Sequence, residues 1–226
     1  MTILLAIETS TEVASVPLYS HGTLTSRELS GVTTHSSGIL PAVQTILNEA
    51  KITLQQCDAI AFGCGPGAFT GVRTACGVVQ GLAYGADLPV VPVVSLLAMA
   101  ESARQADEGS NFVCVLDARM NEVYWAHYVY GSNGWEIVVA PSLSSATSAF
   151  SEAHQHAVKL VLGNGVIVPT EFSDLLHTAA MPHANSIAAL ALHDFKMGKQ
   201  LHAAQAEPLY LRNKIALTSA ERLREK

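Results

Sequence analysis

The segments "TILLAIETSTEVASVPLYSHGTL" (2–24) and "NFVCVLDARMNEVYWAHYVYGSNGW" (111–135) decide the fold, because one can be laid on the other. In the first, "TILLAI", "VASVPLY" and, just beyond, "TLTSREL" read as three strands. A His21-Gly22 turn between the last two predicts an antiparallel meander. In the second, strand one again ends in an acid, Asp117 opposite Glu8, and a β-hairpin follows. Further along, "LVLGNG" (160–165) matches "IAFGCG" (60–65), with glycines at both corresponding places. A meander followed by crossover helices, present twice, predicts an α/β chain with a duplicated ribonuclease-H-like, actin-like fold. It has two lobes, each a mixed sheet flanked by helices. The "ADEGSN" stretch (106–111) marks the boundary, giving an N-terminal lobe at 1–107 and a C-terminal lobe at 108–226.

Between these repeats, "THSSGILPAVQTILNEA" (34–50) predicts an amphipathic helix with Thr34 as N-cap, apolar residues at Leu40, Val43, Leu47 and Ala50, and a kink or irregular start at Pro41. "DAIAF" (58–62) and "LPVVPVV" (88–94) read as buried strands, and a helix spans Ser95 to about Gln105. The stretch "GCGPGAFTGVRTACGVVQGLA" (63–83) is a glycine-rich turn running into a helix. Loops of that shape hold phosphate at a helix N-terminus. Here no lysine follows the glycines as a Walker loop requires, and Gly65-x-Gly67-xxx-Gly71 misses the dinucleotide fingerprint by one residue. Gly71, Thr74, Val78 and Gly81 fall on one helical face with Gly77 and Gly85 alongside. A glycine inside a helix costs about 1 kcal/mol relative to alanine, and close approach of another backbone is the usual compensation. That backbone can belong to this chain or to a partner.

The bulk numbers narrow the function classes. Of 226 residues, 49% are apolar and 14% charged, which describes a globular chain. The net charge of −6 argues against a stand-alone nucleic-acid binder. The last fifteen residues, with Arg212, Lys214, Arg222, Arg224 and Lys226 against Glu221 and Glu225, carry +3 and could meet phosphates or an acidic partner. The apolar run "LPVVPVVSLLAMAE" (88–101) is interrupted by Pro92 and Ser95 and closed by Glu101, so no membrane span is expected. With no basic leader at the N-terminus, a cytoplasmic chain is expected. Cys57, Cys64, Cys76 and Cys114 form no CxxC pair, which points to reduced, buried thiols. No HxxxH or HExxH occurs. His154 and His156, two apart, diverge on any helix, so no metal ligands are assigned. Glu8 and Asp117 read as polar strand ends. The corner "ETST" (8–11) has the character of a phosphate-binding corner, but its counterpart "DARMN" (117–121) puts Arg119 and Met120 where a phosphate would need room.

Several motifs together resemble the TsaB (YeaZ) family of bacterial tRNA threonylcarbamoyladenosine biosynthesis proteins. They are "LLAIETSTEVASVPL" (4–18), "THSSGILPAVQTIL" (34–47), "GPGAFTGVRTACGVVQGLA" (65–83) and "PLYLR" (208–212). The resemblance is dense over the first hundred residues and sparse beyond. It implies an actin-like chain without catalysis or cofactor of its own. Such a chain pairs with the related transferase subunit TsaD, recruits the ATPase TsaE, meets tRNA through that complex, and forms a homodimer when alone. It also implies that two helices, roughly His35 to Ala50 and Thr70 to Tyr84, form the partner interface. On them the candidate contact residues are Ile39, Leu40, Val43, Leu47, Gly71, Thr74, Val78 and Gly81. The metal-binding HxxxH of the related transferase has no counterpart in "VSLLAMAE" (94–101). A small-molecule kinase of the actin-like group stays open as the alternative.

Overall fold

The computed structural model describes residues 2–29 and 35–212. The Thr34 cap and the basic side chains beyond Arg212 lie outside them. The first sheet contains β1 (Ile3–Ile7), β2 (Ala14–Ser20), β3 (Thr23–Leu29), β4 (Ala59–Gly65) and β5 (Val90–Val94) in the order β3-β2-β1-β4-β5. The second contains β6 (Asn111–Arg119), β7 (Glu122–Gly131), β8 (Gly134–Ser145), β9 (Leu160–Asn164) and β10 (Leu176–Ala179) in the order β10-β9-β6-β7-β8. Counted from the meander, the two orders are identical. In each, the first three strands pair antiparallel and the last two add in parallel. The duplicated ribonuclease-H-like, actin-like fold read from the repeats is therefore the fold of the chain.

Local chemistry sets these elements. Each first strand is central and covered on both faces, so it carries an unbroken apolar run, Ile3–Ile7 in β1 and Phe112–Leu116 in β6, instead of alternating. Leu5 and Ile7 of β1 enter one core and Leu4 and Ala6 the other. His21 and Gly22 join β2 to β3 with both residues at positive φ, the conformation that a two-residue hairpin twisted like its strands requires. Pro92 lies in β5 at the sheet's edge, where a missing N–H is tolerated.

Helices α1 (His35–Ala50, continuous through Pro41) and α2 (Phe69–Ala86) cover one face of the first sheet. Helices α3 (Ser95–Gln105), α4 (Ala146–Gln155) and α5 (Ala184–Lys196) complete the layers, two of them in exchanged positions. Leu96, Met99, Ala100 and Ala103 of α3 pack on Phe112, Cys114 and Leu162 of the second sheet. Ile187, Ala188 and Ala191 of α5 pack on Leu4, Ala6 and Ala61 of the first. A boundary at 107/108 thus separates the sheets but not the helices that cover them. Among the described residues no helix is long and apolar enough to cross a membrane.

Candidate functional site: a filled corner beside an open helix face

The corner after β1 is packed solid. The Glu8 carboxylate is fully buried and accepts the Ser10 amide at 2.6 Å and the Ser95 hydroxyl at 2.9 Å. The Thr9 hydroxyl donates to the Gly71 carbonyl at 2.6 Å, and the Ala68 amide donates to the Ser10 carbonyl at 2.7 Å. The glycines of the loop are what let these groups approach. A Cβ at Gly63 would stand 1.9 Å from a Glu8 carboxylate oxygen, one at Gly67 2.6 Å from Ser10 Cβ, and one at Gly71 1.8 Å from the Thr9 carbonyl oxygen. The ground between "ETST" and the glycine loop, where an anion would sit, is occupied by Glu8, Thr9 and Ser10 themselves.

Burial pushes the Glu8 carboxyl above its usual 4.5, against the opposing donors from Ser10 and Ser95. The folded chain therefore holds this proton to higher pH than the unfolded chain. The associated stability is complete below about 4.5 and is lost as pH rises through the folded-state value. Glu8→Gln can keep both contacts, with its carbonyl accepting from Ser10 and its amide donating to Ser95. In urea titrations across pH 4.5 to 7, the Gln variant should gain on the native chain as pH rises. A relative gain by the native chain would mean that the donors outweigh burial.

The matching corner of the second lobe is built differently. Asp117 is partly exposed, accepts the Arg119 amide at 2.8 Å and lies 3.3 Å from the Arg119 guanidinium. Arg119, Met120 and Asn121 all have positive φ. Arg212 closes over this hairpin, donating to the Ala118 carbonyl at 3.0 Å and pairing with Glu122 at 2.6 Å. Asp117 and Glu8 hold equivalent sequence positions but do not face each other as an acid–base pair; each is engaged by its own turn.

Beside the filled corner lies an open surface. Val72, Ala75, Cys76, Val79 and Ala83 of α2 face the sheet. On the outside, Gly77, Gly81 and Gly85 are exposed, with no atom of the described residues within 4 Å of the space a Cβ would take. Tyr84 is 77% exposed and Leu40 of the neighbouring α1 is 49% exposed. From Thr74 to Gly85 no residue carries charge. The eight candidate contact residues divide accordingly. Ile39, Val43 and Leu47 belong to the chain's own core, and Gly71 lies under the Thr9 backbone. Leu40 and Gly81 are exposed, and Thr74 and Val78 half-buried.

One contact is not signalled by the apolar pattern of the sequence. Arg73 stacks on Phe69, 3.6 Å from the ring centroid, and its Nε donates to the Tyr210 hydroxyl at 2.5 Å. This ties α2 to the segment after residue 206, whose Leu209 amide also donates to the Cys64 carbonyl at 2.7 Å. The i,i+4 spacing of Phe69 and Arg73 was the available signal. All four cysteines are buried; burial pushes the Cys57 thiol to about 11 and that of Cys64 to about 12, which keeps them protonated and unreactive.

A family model described as TsaD, tRNA N6-adenosine threonylcarbamoyltransferase, matches residues 30–219. The tRNA threonylcarbamoyladenosine biosynthesis protein TsaB of Haemophilus influenzae is 37% identical over 223 residues, covering 94% of each chain. The chain belongs to the TsaB family. TsaB of Escherichia coli is 36% identical over 94% of this chain and 96% of its own length. YeaZ of Pseudomonas aeruginosa superposes with a TM-score of 0.77 at 33% identity, covering 93% of this chain and all of that one. A second Pseudomonas aeruginosa structure, described as an uncharacterized protein similar to peptidase YeaZ, reaches a TM-score of 0.81 at 34% identity over 94% of this chain and all of that one. The TsaB relatives thus run nearly the full length of the chain, and the open α2 face lies within the residues that the family model matches.

Proposed function

We propose that this chain is a non-catalytic subunit of the machinery that makes N6-threonylcarbamoyladenosine in tRNA. It holds and activates the related transferase TsaD through the outer faces of α1 and α2, and the pair recruits the ATPase TsaE and presents a joint surface to tRNA. The observation that carries this reading is the division of α2. Its first turn is sealed against the β1 corner, leaving no room for a phosphate, while its later turns present an uncharged glycine-lined strip. Glycines left uncovered by the described residues forfeit helix stability, and a partner helix approaching closely restores it. Leu40, Thr74, Val78 and Gly81 are the contacts proposed, with Ile39, Val43, Leu47 and Gly71 supporting them from beneath. Without the partner, the same strip pairs two copies of the chain. Membership of the TsaB family and the match to the transferase's own family model support a pairing between relatives.

Two measurements test this. Reconstituting tRNA modification from purified TsaD, TsaE, the threonylcarbamoyl-adenylate source and tRNA should require this chain; full turnover without it overturns the role. Calorimetric titration of ATP into the chain alone should give no heat of binding. Saturable binding with turnover would instead support an actin-like kinase.

A further inference from the structure

On the outer face of the second sheet, far along the sequence from α1 and α2, three ligating side chains converge. His127 lies on β7, on the same face as Val123 and Trp125, beneath α4. Glu152 and His156 lie one turn apart at the end of α4, which brings them to the same side. His127 Nδ1 is 3.0 Å and His156 Nε2 3.4 Å from the same Glu152 oxygen, and the ligand atoms of all three lie within 4.8 Å of one another.

From this geometry we infer that His127, Glu152 and His156 bind a divalent ion of the zinc class, with a fourth position open to water. Two imidazoles and one carboxylate are a ligand set that zinc accepts, with bonds of about 2.1 Å. A tetrahedron of that size has edges of roughly 3.4 Å, close to the 3.0 and 3.4 Å from Glu152 to the two imidazoles.

The hydrogen bonding at His127 points the same way. Its ring is 1% exposed, and its Nε2 lies 2.7 Å from Asn111 Oδ1. Its Nδ1 lies 3.0 Å from the Glu152 carboxylate oxygen, so the ring is held between the two side chains. A histidine whose second nitrogen donates to an amide or carboxylate oxygen is also how proteins orient metal ligands. His156, 49% exposed, gives the ion a way in from solvent. A hydrogen bond between His127 and Glu152 accounts for that pair alone and needs no third ligand; His156 separates the two cases.

The test uses the untagged full-length chain, freed of metal by chelation. Calorimetric titration of zinc chloride should show one tight equivalent and a rise in Tm. Cobalt(II) should bind with the intense visible absorption of a tetrahedral site. His156→Ala changes an exposed side chain and should fold normally by circular dichroism, yet weaken zinc binding about tenfold or more, as should Glu152→Gln; Asn111→Ala should cost about 10- to 100-fold. Absence of zinc and cobalt uptake by the folded native chain overturns the inference. So does uptake that His156→Ala and Glu152→Gln leave unchanged, which would assign the ion to other side chains.

Discussion

Gly71→Ala should lower the stability of the chain by about 3 kcal/mol or more, within the upper range for overpacking, and its Tm by roughly 10 °C. The added methyl would stand 1.8 Å from the Thr9 carbonyl oxygen. That atom is backbone, held by the antiparallel bridge between Glu8 and Ser15, so no rotamer change relieves the overlap. Either the first turn of α2 lifts or the β1 corner moves, and both routes strain the hydrogen bonds from Thr9 to Gly71 and from Ala68 to Ser10. Gly77→Ala, two turns later in the same helix, should do the opposite and stabilise the isolated chain by about 1 kcal/mol, because its methyl enters open space. Urea midpoints of the two variants check both signs. Equal effects at the two positions would remove the sealed corner as the reason for Gly71.

Gly81→Glu should leave the isolated chain at least as stable as before, by about 0.5 kcal/mol in its favour, since glutamate is the better helix former and none of the described residues lies within 4 Å of the new Cβ. Its pairing with TsaD should weaken more than a hundredfold, because a carboxylate pressed into an uncharged helix contact without a counter-charge costs about 3 kcal/mol or more. Co-purification of tagged TsaD with each form, alongside melting curves of the chain alone, reads the two effects separately. Retained pairing removes this strip from the interface. A collapsed melting curve would instead show that Gly81 is needed inside the chain.

The strands and their duplication were legible because apolar runs, turn residues and the repeated strand-end acid are local signals. The identity of the face each helix presents was less so. Apolar spacing in α1 picked out Leu40, Val43, Leu47 and Ala50, and such spacing reports first the face a helix turns to its own core. That face runs instead through Ile39, Val43, Ile46 and Leu47, and Leu40, one position off it, is left outside. In α2 the stripe from Gly71 to Gly81 is real, but the β1 corner arrives from sixty residues earlier and covers only its beginning. No helical wheel carries that information. His127, Glu152 and His156 are brought together by the placement of α4 across β7, a juxtaposition that the spacing of His154 and His156 does not report.

The exchange of α3 and α5 between the sheets bears on how this duplicated chain can be handled. A polypeptide ending near residue 107 would keep α3 but leave Leu4, Ala6 and Ala61 facing water where Ile187, Ala188 and Ala191 now lie. The remainder would lose the cover that Leu96, Met99 and Ala100 give to Phe112 and Cys114. Each repeat, cut from its sibling, would be a sticky half-product. A single repeat would therefore need its missing cover from a second molecule like itself, and carrying both repeats in one chain supplies it internally.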